Sequence, residues 1–457
     1  MTASLIWFRQ DLRLYDQAAL AAAAAEGPVV AVYCLDEETP GLRPMGGAAH
    51  WWLHHSLASL QRSLQDKGVQ LVLRKGRSAD VLTALCAESG ARRIHALHHF
   101  EPGWKQAEKD VADRADLVLH HGNQLAPPAS ILTGTGGRYR VFTPWWKMLL
   151  TMMPPPRPLA VPEQITGAPA LASDDLDQWH LLPTRPNWAT GFADWHPGEP
   201  GAFAALKAFL PRLTAYDATR NLPSRPGTSR LSPHLHFGEI SPATVWHLAS
   251  RDAGSAAEPF LREVGWRDYA TNLLDLFPDY ARTNGRQAFD ALVWRSGAEA
   301  DRDFTAWTRG QTGYPIVDAG MRELWHTGWM HNRVRMIAAS FLIKHLLIDW
   351  RRGEDWFWDT LVDADAAANA SNWQWVAGTG VDASIFSRIM APLSQSEKFD
   401  AADYIRRWVP ELAALSSPYI HDPEEFGVRP AAYPRKIIAH KAARARTLAA
   451  LSASRTG

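Results

Sequence analysis

Along the first 121 positions, short continuous apolar runs alternate with longer stretches in which apolar residues recur every three to four places. The runs at 5–8, 29–35, 69–73, 94–98 and 117–119 predict strands, and 17–25, 48–66, 79–88 and 105–115 predict the helices between them. Strands that are apolar on both faces need cover on both sides, so this alternation predicts a doubly wound, five-stranded parallel α/β domain. The turn after the first strand, Arg9-Gln10-Asp11-Leu12-Arg13, lacks the Gly-x-Gly-x-x-Gly spacing that lets a pyrophosphate approach the backbone. A nicotinamide-dependent hydride-transfer enzyme is therefore disfavoured.

Between about 151 and 200 the pattern dissolves into a proline-rich stretch with Pro154, Pro155, Pro156, Pro158 and Pro162. Beyond Gly201 it is helical almost throughout, with Ser232-Pro233 and Ser241-Pro242 as helix starts in which Ser caps and Pro takes the first turn. The expected organisation is an α/β domain at 1–130, a linker at 131–200 and an all-helical domain at 201–457, giving an α/β + α fold.

Composition narrows the class. Lys+Arg and Asp+Glu both number 48, and 46% of the 457 residues are hydrophobic against 21% charged, as in a globular chain rather than a polycation or a disordered one. The best apolar run, 336–347, is broken by Ser340, Lys344 and His345, so no membrane segment is expected, and the start carries no secretory pattern. A cytoplasmic monomer is the expectation. Cys34 and Cys86 lie in apolar segments and read as core, and adjacent His pairs do not share one face of a helix or strand, so no metal site is expected.

Tryptophan is the unusual component: 21 Trp against 16 Phe and 10 Tyr, with nine of them between Trp294 and Trp375. A Trp-rich helical core would account for any one of these. The segment Asp363-Ala364-Asp365 to Asn369, continuing through Asn372-Trp373-Gln374-Trp375, adds acids and amides beside the indoles.

Together with Trp7-Phe8-Arg9-Gln10-Asp11-Leu12-Arg13, Gly227-Thr228-Ser229-Arg230-Leu231-Ser232, Thr312-Gly313-Tyr314-Pro315, Gly328-Trp329-Met330-His331-Asn332-Arg333 and Glu397-Lys398-Phe399-Asp400, this segment resembles the photolyase and cryptochrome flavoprotein family over nearly the whole chain. The resemblance implies an antenna-binding α/β domain and a helical domain that holds a bent FAD against DNA. It assigns Tyr216, Thr228, Ser229, Arg230, Leu231, Ser232, Arg267, Arg335, Asp363, Ala364, Asp365 and Asn369 to the cofactor. The hydroxyls, the charge of Arg230 and a helix start at Ser232 suit a diphosphate. Asn369 matches the position facing flavin N5, where a neutral amide cannot readily donate a proton.

The resemblance further implies a three-Trp relay of Trp373, Trp350 and Trp294, the last across a segment about three residues longer than the family spacing. Glu263, Asn332 and Met336 match the lesion pocket, with Asn332 and Met336 on one helix face, and Trp266 and Trp375 match indoles that pack the extruded dimer. Arg220, Arg267, Asn332, Arg333, Arg388 and Gln395 match DNA-contact positions, so the charge needed for DNA is local rather than global.

The function implied is light-dependent splitting of cyclobutane pyrimidine dimers in UV-damaged DNA. Repair of the (6-4) lesion is disfavoured because Asn332 stands where that chemistry uses a second His as proton donor. A signalling cryptochrome is the other alternative, and Asn369 leans away from it because plant cryptochromes carry Asp there. The segment Ile385-Phe386-Ser387-Arg388-Ile389-Met390-Ala391 departs from the family's Pro-Tyr-Phe-Arg-Ile-Phe-Asn, which puts lesion fit at that loop in question. Glu101 matches an acid that binds folate in some members, so a second chromophore, methenyltetrahydrofolate or a deazaflavin, stays open.

Overall fold

In the computed structural model, which describes residues 2–454, strands form where the continuous apolar runs predict them. They are β1 (Ser4–Phe8), β2 (Val29–Leu35), β3 (Leu71–Lys75), β4 (Arg93–Leu97) and β5 (Asp116–His120). All pairings are parallel, in the order β3-β2-β1-β4-β5. Helices α1 (Ala18–Glu26), α2 (Gly47–Gln65), α3 (Ser78–Ser89) and α4 (Pro102–Ala112) make the crossovers. Every residue of β1 and β2 is buried, as continuous apolar runs require.

β3 starts two residues later than its apolar run. The Val69 N–H bonds the Leu64 carbonyl and closes the end of α2, and the ladder begins where Leu71 meets Ala31. Cys34 is buried, whereas Cys86 is only half-buried against the same core.

Strand order reverses between β1 and β4, where an open parallel sheet leaves a crevice at its carboxyl end. Arg9 fills it. Its guanidinium lies 4.1 Å from the Trp7 ring and 5.6 Å from Trp104 and bonds Glu108 at 2.7 Å, with only 1% of the residue exposed. A charge this deep persists because it is paired and hydrogen-bonded.

The chain divides into two compact units. The first joins residues 1–187 to 193–214 and 229–278, so it adds to the sheet the helices α5 (Phe142–Leu150), α6 (Glu199–Phe209), α8 (Ser232–His236), α9 (Pro242–Ala253) and α10 (Glu258–Leu276). Apart from α5, the start of α6 and short 3-10 turns, the proline-rich stretch has no regular structure. Ser241 caps α9 as expected, accepting from the Thr244 N–H at 3.0 Å. Ser232 does not cap α8: the helix starts on Ser232 itself, Leu231 is the residue before it, and no side-chain cap forms. The Ser229 hydroxyl has already taken the Leu231 N–H at 3.3 Å, which moves the polar cap one step upstream of the helix.

The second unit comprises 188–192, 215–228 and 279–457. It contains α7 (Tyr216–Thr219), α11 (Ala298–Thr308), α12 (Pro315–Thr327), α13 (Asn332–Ser340), α14 (Trp350–Thr360), α15 (Ala366–Ala377), α16 (Pro392–Lys398), α17 (Ala402–Trp408) and α18 (His440–Ala453). Trp307, Trp350 and Trp373 lie in one buried core with Phe341, Phe357 and Tyr404. The Thr312-Gly313-Tyr314-Pro315 motif is structural here: Asp318 accepts from the Thr312 and Gly313 N–H groups and from the Tyr433 hydroxyl, tying the start of α12 to the C-terminal segment. A single π turn, Phe341–His345, follows α13.

Candidate functional site

Three consecutive helices of the second unit start on side-chain caps, which fixes their entry points. His331 accepts from the Arg333 N–H, Asp349 from the Arg351 N–H at 3.0 Å, and Asp365 from the Ala368 N–H at 2.7 Å. The start of α15 thus carries Asp363, buried Ala364, Asp365 and Asn369 in a fixed frame. Asp363 is held bidentately by Arg335, one turn into α13, at 3.1 and 2.9 Å, and the Arg335 Nε donates to the Met330 carbonyl at 2.7 Å.

Asn369 is 9% exposed, and its Nδ2 donates to both the carbonyl and the carboxylate of Glu354, at 3.0 and 2.8 Å. With the amide nitrogen committed, the Oδ1 is the group left to meet a ligand. Tyr216 is buried, with the Arg220 guanidinium 5.3 Å from its ring, and Thr228 is half-buried.

Asn332 is exposed at the first turn of α13, and Met336 follows half-buried four residues on, so the expected shared face is present. Beneath them His331 is 3% exposed, and burial together with Arg333 and Arg335 pushes its pKa down to about 4. Arg333 is not a free surface cation. It donates to Asn221 at 2.7 and 3.2 Å, reaches the Met336 sulfur at 3.5 Å and lies 4.6 Å from the Phe399 ring.

Trp373, 2% exposed, meets Phe357 edge-on at 4.9 Å and Trp307 at 6.3 Å. Gly353 lets the indole press onto α14: a Cβ there would sit 2.2 Å from Trp373 Cη2. Trp350, fully buried, lies three residues before Gly353 on that face, with its Nε1 bonded to Asn284 at 3.0 Å. Trp294 is half-buried against Leu292, Phe386 and Leu451. Trp375 is half-buried, and its carbonyl accepts from the Ser384 N–H at 3.2 Å, where Gly378 (φ +87) turns the chain into the 379–391 loop. On that loop Arg388 is exposed, and Gln395 is half-buried on α16.

Within the first unit, Ser229 and Arg230 precede α8, and Arg230 takes a left-handed backbone (φ +54) with its guanidinium 4.1 Å from the Trp195 ring. Glu263, Trp266 and Arg267 share α10. One face of Trp266 is covered by Phe142, stacked at 3.6 Å and 8°, and Glu263 is half-buried. The Arg267 guanidinium is committed to the Asn123 and Leu235 carbonyls at 2.5 and 3.2 Å. A half-open cavity of about 320 Å³ lies beside α4, between Phe100, Pro102, Lys105, Gln106, Lys109 and the end of α10.

Sequence reasoning missed Glu354 and Gly353. Glu354 has no local pattern to mark it, since its partner is 15 residues away. Gly353 could have been noticed, because a glycine inside a helical pattern costs about 1 kcal/mol and asks for a packing reason.

Two family models cover most of the chain: the DNA photolyase model matches residues 4–163, and the FAD binding domain of DNA photolyase matches 260–453. The chain is 48% identical to the deoxyribodipyrimidine photo-lyase of Agrobacterium fabrum, over 98% of this chain and 97% of that one. It belongs to the DNA photolyase family. Its structure superposes on a bacterial class III photolyase from Agrobacterium tumefaciens with a TM-score of 0.94 and 46% identity, covering 100% and 98% of the two chains. Cryptochromes are more distant relatives: Arabidopsis thaliana cryptochrome-1 is 35% identical over 92% of this chain and 64% of that one. The α/β + α architecture expected from the sequence is the photolyase architecture, and FAD is the cofactor of its helical domain. Among the described residues, no helix is long and apolar enough to cross a membrane.

Proposed function

We propose that this photolyase splits cyclobutane pyrimidine dimers in UV-damaged DNA, using light and bound FAD. The observation that carries the choice of lesion is the start of α13. Asn332 is exposed where a (6-4) enzyme would want an acid, and His331 behind it, with a pKa of about 4, is neutral at physiological pH. A site with no proton to give suits ring opening driven by an electron alone.

FAD supplies the light absorption and the electron. The residues present fit it. The Asp363–Arg335 pair is a rigid, buried polar edge, and Asn369 turns a carbonyl oxygen outward because Glu354 holds its nitrogen. A neutral amide fixed in this way offers no proton to the ring it faces, which favours the anionic reduced flavin. Tyr216, Thr228, Ala364 and Asp365 complete the second unit's share of the cofactor contacts, and Ser229, Arg230, Leu231, Ser232 and Arg267 are the first unit's candidates.

Asn332, Met336 and Glu263 are proposed to hold the lesion, and Trp266 and Trp375 to flank it. Stacking of this kind is worth about 1–3 kcal/mol per base. Arg220, Arg333, Arg388 and Gln395 contact the strand. Trp373 passes electrons inward from Trp350, an order supported by the Gly353 contact, and Trp294 is the outer member.

For the antenna, the reading is a folate in the cavity beside Glu101. Arg9 already fills the crevice between β1 and β4 where a deazaflavin-like ring would enter, whereas the cavity offers the Phe100 ring and two lysines suited to a glutamate tail. The protein is proposed to act as a monomer in the cytoplasm.

The test is one repair assay on reduced holoenzyme with both lesion types, in blue light and in darkness. Light-dependent recovery of thymines from cyclobutane dimers, with (6-4) products untouched, is expected. Absence of that recovery refutes the reading.

A further inference from the structure

The loop that departs from the family pattern, 385–391, is held from inside by an amine. Lys344 sits in the π turn Phe341–His345, an element whose wider backbone ring often marks a functional position. Its side chain is 1% exposed and does not reach solvent. The Nζ donates to the carbonyl of Arg388 at 2.9 Å and lies 5.7 Å from the Phe386 ring. No carboxylate pairs with it among the described residues, and burial beside the Arg388 charge pushes its pKa down to about 7.

A buried ammonium without an anion is costly. Nothing else in its surroundings repays that cost, so the bond to Arg388 is the feature that distinguishes this arrangement from an apolar core residue. The π turn itself is fastened: the Thr447 hydroxyl donates to the Lys344 carbonyl, and the Leu346 N–H bonds the Phe341 carbonyl at 3.0 Å.

The rest of the loop explains why one internal bond matters. Phe386 is buried against Phe289, stacked at 5.5 Å, while Ile385 is 72% exposed and Ser387 and Arg388 are exposed. Ser384 is fixed through Trp375, but between Phe386 and Met390 the printed anchor is the Arg388 carbonyl. A carbonyl turned inward toward Lys344 sets the orientation of the residue that bears it.

We propose that Lys344 is a positioning residue: its bond to the Arg388 carbonyl holds the 385–391 loop so that the Arg388 guanidinium faces outward for a DNA phosphate. The proposal rests on the DNA-binding reading of Arg388.

The test uses FAD-loaded full-length protein with Lys344→Met, Arg388→Gln and the double variant. Three quantities are read: affinity for dimer-containing duplex across salt concentrations, single-turnover repair of prebound dimer in light, and amide hydrogen exchange over 384–390 without DNA. K344M is expected to weaken binding roughly three- to tenfold and to flatten the salt slope by about 1, as loss of one phosphate contact does. R388Q should match it, and the double variant should be no more than about twofold weaker than R388Q, because coupled sites do not add. K344M should speed exchange over 384–390 and leave the single-turnover yield unchanged.

Lys344→Gln, which keeps a donor without the charge, should give the same changes at smaller amplitude and serves if K344M does not fold. Wild-type exchange in both Lys344 variants, or losses that multiply in the double variant, would overturn the positioning role. If R388Q binds DNA like wild type, the DNA reading of Arg388 fails, and the proposal for DNA positioning falls with it, while faster exchange in K344M would still locate the anchor.

Discussion

Gly353→Ala is the smallest change that tests whether Trp373 is held where electrons must pass. The added Cβ would stand 2.2 Å from Trp373 Cη2, 2.6 Å from its Cζ3 and 2.6 Å from Leu342 Cδ2, so the ring edge must retreat by about 1 Å to reach ordinary contact. It has nowhere to go. Trp373 is 2% exposed, with Phe357 and Trp307 edge-on at 4.9 and 6.3 Å. Overpacking of this kind costs about 1–3 kcal/mol, and so close a contact belongs at the upper end. Ala gains about 1 kcal/mol over Gly in a helix interior, which leaves a net loss near 2 kcal/mol.

Two measurements follow on the FAD-loaded protein: urea unfolding, and the rate of flavin photoreduction with an external electron donor. We expect lower stability and slower photoreduction, with repair by chemically pre-reduced enzyme much less affected, because that route bypasses the indoles. A G353A protein that is more stable than wild type and photoreduces at the same rate would refute the contact and the relay order built on it.

Two further substitutions probe charge. Asn369→Asp puts a second carboxyl 2.8 Å from Glu354 in a buried setting. At an effective dielectric of about 20 that pair repels by roughly 5–6 kcal/mol if both ionise, or about four pKa units. The pair therefore keeps one proton at neutral pH, and the absorption spectrum of the photoreduced flavin should move toward the protonated form; an unchanged spectrum at pH 6–8 contradicts the placement. Asp268, buried on α10, has a pKa raised to about 7 by desolvation, against 3.8 ordinarily. The folded state then binds a proton the unfolded chain does not, so this group's stabilising contribution is full below pH 4 and is lost as pH rises through 7. Urea midpoints of wild type measured against Asp268→Asn should fall between pH 4 and 7 and run parallel above 8, and a flat difference would exclude the shift.

The sequence by itself determined much of this protein. Five apolar runs fixed the strands to within two residues, because a strand buried on both faces must be apolar throughout, and chain order with short crossovers leaves few parallel topologies. The motif around Asp363, Asn369 and Trp373 was legible because a cap, an amide and an indole lie within eleven residues of one helix. What tertiary structure decided are contacts between residues far apart in the chain. Glu354 orients Asn369, Gly353 admits Trp373, and Lys344 reaches Arg388 across 44 positions. It also decided that Arg333 and Arg267 are committed to protein partners and that Arg9 fills the sheet's crevice. Local pattern encodes which face of an element is apolar; which residue meets that face depends on packing, and packing is where the amide, the indole and the buried amine acquire their roles.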